Sequence, residues 1–411
     1  MTRTFPELLA AAGAIADQLA DPHTVNPGGP GRRRPQSLAG GAAGIALLHI
    51  ARARSGHAAW TTARSWLAAA ARETLSAGPN ANLYFGAPTL AFVTHLAADE
   101  PGKYARALAE LDAITIALTR RRLDAAHARI DRKERPVLAE FDLIRGLGGL
   151  GSYHLQRHPG HDITRSVLGY LVRLTEPLPG RADDDVPGWW TEVSPNGDVS
   201  SDFPGGHGNL GMSHGIAGPL SVLALALRRG IAVDGHAEAI GRIQRWLDLW
   251  QQRDPTGPWW PGFITLQQSR TRHVDPDTRQ RPSWCYGSPG LARAQQLAAL
   301  AIGDVERQSV AEAAMLCCLR DPTQLDRLVD SGLCHGTAGV LQAAWRMSRD
   351  ARTRDLAGAL PALAERLLAE LPAVRDEVEF LDGLAGIGLA LHTVGAESEP
   401  ATAWDACLLL T

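Results

Sequence analysis

Apolar positions recur at helical spacing along most of the chain. Leu8, Ala12, Ile15 and Leu19 fall three or four residues apart, with Glu7 and Asp17 on either side. That is the stripe of an amphipathic first helix. Trp60, Leu67 and Leu75, with alanines between them, repeat a 3.6 period, as do Leu363, Leu367 and Leu371. Leu220, Leu223 and Leu227 lie in a nearly all-apolar helical stretch. Alternation of period two bounded by turn residues, the mark of a strand, is scarce. The pattern predicts an all-α protein.

A short glycine block, usually Gly-x-x-Gly running into an apolar stretch, punctuates these helices. It reads GGAAGIALL from Gly40, FGAPTLAFV from Phe85, RGLGGLGSYHL from Arg145 and HGIAGPLSVL from His214. YGSPGLARA from Tyr286, HGTAGVLQA from His335 and DGLAGIGLAL from Asp382 complete seven copies. The first core glycines are Gly41, Gly86, Gly146, Gly215, Gly287, Gly336 and Gly383, at intervals of about 45 to 72 residues. The short intervals fit two helices and two turns, and the long ones carry insertions, including a loop expected over 177–206. Glycine at each helix start suits close backbone approach and positive φ. Seven inner helices, each with an outer partner, suggest an α/α toroid. Periodicity alone fits an open helical scaffold as well.

Composition removes other classes. Hydrophobic residues make up 45% and charged residues 21%, with a formal net charge of −3. No basic stripe points to nucleic acid. The cluster Arg32 to Arg34, between Gly31 and Pro35, reads as a short charged loop. No apolar run reaches membrane-spanning length, and the nine apolar residues from Leu8 to Ala16 belong to the first helix, not to a secretion signal. The chain is expected in the cytoplasm. Five cysteines make a disulfide framework improbable there.

Two of those cysteines fall just before a glycine block: Cys285 in Trp-Cys-Tyr-Gly and Cys334 in Cys-His-Gly, where His335 follows. In a closed ring adjacent blocks lie side by side, so Cys285, Cys334 and His335 converge. Two thiolates and one imidazole are a zinc set with the fourth position open, as catalytic zinc requires. The alternative is that both cysteines are small core residues; their matching placement in consecutive blocks argues against it. Cys317, Cys318 and Cys407 stand in apolar surroundings and read as core.

The stretches GHGNLGMSHGIAG from Gly206, SWCYGSPG from Ser283 and CHGTAG from Cys334 resemble, in this order, the lanthipeptide cyclases of the LanC family. The resemblance extends over the seven blocks. It implies an α/α toroid of seven inner and seven outer helices with one zinc per chain on Cys285, Cys334 and His335. It implies that His214 is the acid–base residue, and that Asp142, Arg281 and Tyr286 line the same site. Thr89 replaces the second glycine of the second block, and Ser213 stands where the family often has alanine. The length matches the stand-alone cyclases, which act beside a separate dehydratase and an exporter.

The implied reaction adds a peptide cysteine thiol to dehydroalanine or dehydrobutyrine of a leader-bearing dehydrated precursor. A free thiol is mostly protonated at neutral pH, and zinc deprotonates a coordinating one. His214 would protonate the α-carbon, Asp142 would orient it or help take up the thiol proton, and Arg281 or Tyr286 would stabilise the enolate. Activation of a small thiol such as glutathione, or a non-catalytic scaffold with structural zinc, are the rival readings. A glycoside-processing α/α barrel would need an acidic pair where these blocks supply Cys and His. His207 and the pairs Trp189–Trp190 and Trp259–Trp260 are candidates for substrate contact or for packing.

Overall fold

The structure is a computed structural model and describes residues 4–25, 34–178, 186–374, 377–396 and 398–411. Arg32 and Arg33 of the basic cluster, and 179–185 of the expected loop, lie outside the described residues.

Seventeen α-helices are present among the described residues. In chain order they are α1 (Thr4–Gln18), α2 (Ala42–Arg54), α3 (Trp60–Ala70), α4 (Ala87–Ala97), α5 (Ala105–Asp131), α6 (Leu138–Phe141), α7 (Leu147–Arg157) and α8 (Asp162–Leu174). Then follow α9 (Ala217–Arg228), α10 (His236–Leu249), α11 (Leu266–Thr271), α12 (Ser288–Ile302), α13 (Val305–Arg320), α14 (Pro322–Leu325), α15 (Thr337–Asp350), α16 (Asp355–Glu370) and α17 (Leu384–Gly395). Each of the seven glycine blocks opens one helix: α2, α4, α7, α9, α12, α15 or α17. These are buried along nearly their whole length, whereas partners such as α3 and α16 bury one stripe.

The second glycine of a block has one physical reason. A Cβ at Gly44, Gly290, Gly339 or Gly386 would stand 1.9–2.1 Å from the carbonyl oxygen six residues earlier, that of Leu38, Trp284, Leu333 or Phe380. No side chain fits that space. Thr89, the exception in the second block, meets the same constraint differently: its hydroxyl donates to the Leu83 carbonyl, also six residues back, at 2.8 Å. The first glycines do not have the positive φ expected of them. Only Gly86 does, at 82°; Gly41, Gly146, Gly287, Gly336 and Gly383 are extended, needed because backbone crowds them.

The described residues group into two compact units, Met1–Ile116 with Pro322–Ala406, and Ala117–Asp321 with Cys407–Thr411. In the first, α15 packs on α17, α17 on α2 and α2 on α4, with α1 against α17 and α16. In the second, α7 packs on α9 and α9 on α12, with α8, α10 and α13 as their partners. One backbone bond pattern joins neighbouring blocks. The residue three before a first glycine donates to the carbonyl two before the next. In the first unit Leu333 and Cys334 donate to Leu381 (2.7 and 2.9 Å), Phe380 and Leu381 to Ala39 (3.1 and 3.2 Å), and Leu38 to Tyr84 (3.0 Å). In the second, Leu143 donates to Ser213 (3.1 Å), and Met212 and Ser213 to Cys285 (2.8 and 3.4 Å). The seventh block is thereby tied back to the first.

Some sequence expectations shift. Leu8, Ala12, Ile15 and Leu19 are buried as their spacing requires. On α3, however, Ala63, Trp66 and Ala70 face inward, while Trp60 and Leu67 are half-exposed and Leu75 lies beyond the helix. Alanine-rich spacing does not fix the phase of a stripe, and the largest side chain able to reach cover decides it. Two antiparallel pairs of three-residue strands were not legible: β1 (His207–Asn209) with β4 (Phe263–Thr265), and β2 (Gln252–Asp254) with β3 (Gly257–Trp259). Trp189, Trp190, Trp259 and Trp260 are all buried and pack. No helix of the described residues is long and apolar enough to cross a membrane.

Candidate active site

Asp142 ends the short helix α6 and is fully buried. Its Oδ1 accepts the backbone N–H of Arg145 and of Gly146, each at 2.7 Å. These donors belong to the turn into α7, so the sequence Asp-Leu-Ile-Arg-Gly folds around its own carboxylate. Oδ2 is 2.7 Å from His214 Nδ1. That bond places the proton on Nδ1 and leaves Nε2 for chemistry. The His214 side chain is 28% exposed, enough to meet a substrate.

The loop carrying His214 is fixed from the fifth block, because the Cys285 carbonyl accepts from Met212 and Ser213. Tyr286 stands next to it, its ring centroid 6.4 Å from that of His214. Asn209 Nδ2 donates to the Tyr286 hydroxyl (3.2 Å) and lies 3.4 Å from His207 Nε2, while its Oδ1 accepts from Gly211 N (3.0 Å). His207 itself is buried with Nδ1 on the Val193 carbonyl at 2.8 Å, and burial pushes its pKa down to about 4. It is a neutral buttress for Asn209. Cys285 Sγ is buried, 3.6 Å from Ser283 Oγ, which already accepts from Tyr286 N and Gly287 N. In the thiol form the sulfur donates to this oxygen. Arg281 is half-buried, its carbonyl against Gly287, and its guanidinium has no ion pair among the described residues.

Cys334 and His335 follow Leu333 into α15, held by the Leu381 carbonyl. His335 Nε2 is 3.1 Å from Asp330 Oδ2, and Nδ1 is 3.9 Å from Asp382 Oδ1. Asp330 is itself anchored by Gly332 N at 3.0 Å. Cys285, Cys334 and His335 form a group that can hold a metal ion: one ligand atom from each, all within 4.8 Å of one another. Cys318 and Cys407 are buried elsewhere, the Cys318 thiol pushed up to about 12 by desolvation, and Cys317 is half-buried against Gly257.

Asn209 and Ser283 stand inside the stretches that carry the resemblance and Asp330 outside them; none was singled out, because amide, hydroxyl and carboxylate supports show their part only through what they hold. The block register did hold a signal. His214, Tyr286 and His335 each immediately precede a first glycine, and so do Arg145 and Asp382.

Seven glycine-led helices, most with a packed outer partner, define the class, an all-α protein of the α/α-toroid fold. A solved structure titled "Nisin cyclase", itself of this fold, superposes with a TM-score of 0.79 at 19% identity, covering 98% of this chain and 97% of that one. A family model described as lanthionine synthetase C-like protein matches residues 33–409, and the chain belongs to that family. Nisin biosynthesis protein NisC of Lactococcus lactis subsp. lactis is 24% identical over 336 residues, 80% of this chain and 77% of the relative.

Proposed function

We propose that this chain is a zinc-dependent lanthipeptide cyclase that joins peptide cysteine thiols to dehydroalanine or dehydrobutyrine in a dehydrated, leader-bearing precursor. It would work in the cytoplasm beside a separate dehydratase and exporter. The observation that carries the reading is the Cys285–Cys334–His335 group. The likeness to nisin cyclase supports it.

The donor set fits zinc. Two thiols and an imidazole are borderline-soft ligands, three in number, which suits a catalytic ion with an open position. His335 would offer Nδ1, because Nε2 is taken by Asp330, in the carboxylate–histidine arrangement common around zinc. Ser283 would donate to the Cys285 thiolate. When bound, zinc supplies a lowered thiol pKa for the incoming cysteine. The chain's own residues handle the proton. His214, its Nδ1–H held by Asp142, presents Nε2 to the α-carbon and cycles between imidazole and imidazolium. The Tyr286 hydroxyl, which accepts from Asn209, would donate to a substrate carbonyl.

The test is incubation of the purified chain, of known zinc content, with a dehydrated precursor. A cyclase leaves the peptide mass unchanged while alkylatable thiols disappear. Cys285→Ala and Cys334→Ala should each remove the stoichiometric zinc. A variant that kept full zinc and full activity would falsify the ligand set, and a wild-type chain inert toward the precursor would sink the cyclase reading.

A further inference from the structure

We propose that Arg145 is a further catalytic residue of this site, a cation that touches the carbonyl oxygen of the dehydrated residue and holds the negative charge appearing there as sulfur adds. The inference deepens the cyclase reading and rests on it.

Three observations converge on Arg145. The first is register. In the second unit the residues immediately before the first glycines are Arg145, His214 and Tyr286. Their blocks are joined in that order by the Leu143–Ser213 and Met212–Cys285 backbone bonds. Two of the three are already placed at the chemistry, and Arg145 holds the equivalent position one block earlier.

The second is that its main chain is fixed at both ends. Arg145 N donates to Asp142 Oδ1 at 2.7 Å, and its carbonyl accepts from Arg122 Nη1. Such anchoring limits the directions the side chain can take. The third is that the guanidinium is not used up. Its Nε stands 4.0 Å from Asp142 Oδ2, too far for a hydrogen bond, and that oxygen already serves His214 at 2.7 Å. The side chain is 47% exposed, and no other described carboxylate pairs with it. A cation thus flanks the Asp142–His214 pair with its donors open to whatever that pair acts upon.

The chemistry needs such a group. The thiolate sulfur forms a bond to the β-carbon, and the alkene π pair moves to leave an enolate whose charge rests on the carbonyl oxygen. His214 then gives its proton to the α-carbon, and the carbonyl re-forms. Nothing leaves, and Arg145 keeps its proton throughout. The α-carbon and this oxygen are two bonds apart, so a donor beside His214 reaches the oxygen. The guanidinium fork suits a developing oxyanion and stays charged at any working pH.

The experiment uses the full-length, zinc-loaded chain and a dehydrated precursor. Arg145→Ala should lower kcat by about 100-fold, as loss of one oxyanion donor does elsewhere. KM should stay within about threefold, since the interaction belongs to the transition state. Zinc content should not change. Arg145→Lys should keep part of the rate through its charge, and millimolar guanidinium should restore part of the Arg145→Ala activity, neither of which a packing role would give. An Arg145→Ala enzyme within threefold of wild type in kcat overturns the assignment. So does a loss matched by equal loss of zinc and resistant to guanidinium. If wild type fails to cyclise at all, the cyclase reading fails first. If wild type is active and Arg145→Ala equally so, only this inference falls.

Discussion

Asp142 has no room for a substrate. Two backbone N–H groups fill Oδ1 and His214 occupies Oδ2, so in the proposed mechanism its part is to set the tautomer of His214. Asp142→Asn keeps the shape but puts an amide N–H₂ against Nδ1, forcing the proton to Nε2. Cyclisation should fall by about 100-fold or more, in the range of lost acid–base catalysis, with zinc retained on metal analysis. His214→Asn should act in the same direction, and an unchanged rate in either would remove the pair from the mechanism. The candidate ligands and His214 are legible as residues because Cys and His beside a glycine block are rare and chemically loud. Their supports are not: Asn209, Ser283 and Asp330 become meaningful only when a 3 Å bond shows what each one holds.

Among the elements, the glycine blocks were readable in number and place, because in four of them a carbonyl six residues back leaves no room for a Cβ at the second glycine. Gly290→Ala would drive a Cβ to within 1.9 Å of the Trp284 carbonyl, and Gly386→Ala to the same distance from Phe380 O. Each should destabilise by at least about 2 kcal/mol in urea titration, since backbone must move on both sides. Thr89→Ala should cost less, about 1 kcal/mol, through loss of one buried hydrogen bond to Leu83. Equal losses at Thr89 and Gly290 would show that steric exclusion is not the reason for the second glycine. The helices between blocks were readable in kind but not in phase, as α3 shows. The three-residue strands left no trace, since β1 and β4 meet only through loops 54 residues apart in their registered pair Asn209 and Phe263.

For the molecule as a whole, acid should be the sensitive direction. Burial pushes the pKa of His49, His207 and His392 down to about 4 from 6.5. Each is neutral when folded and takes a proton more readily when unfolded. Their contribution is therefore complete above pH 6.5 and is lost as the pH falls from 6.5 to 4, on the order of 3 kcal/mol each. Urea midpoints should drop between pH 7 and pH 5, and His392→Gln should flatten that slope. The bond from Phe380 and Leu381 to Ala39 has a consequence for biosynthesis. Residues Ala117–Asp321 separate the two stretches of the first unit, so at about 5 to 20 residues per second its early half leaves the ribosome some 10 to 40 s before its later half is made. Throughout that interval α2 has an apolar face and no α17 to cover it. Ribosome-stalled chains ending near Asp321 should be digested in their N-terminal region, which the completed chain protects, so the length of the intervening segment sets how long the opening of the protein stays uncovered.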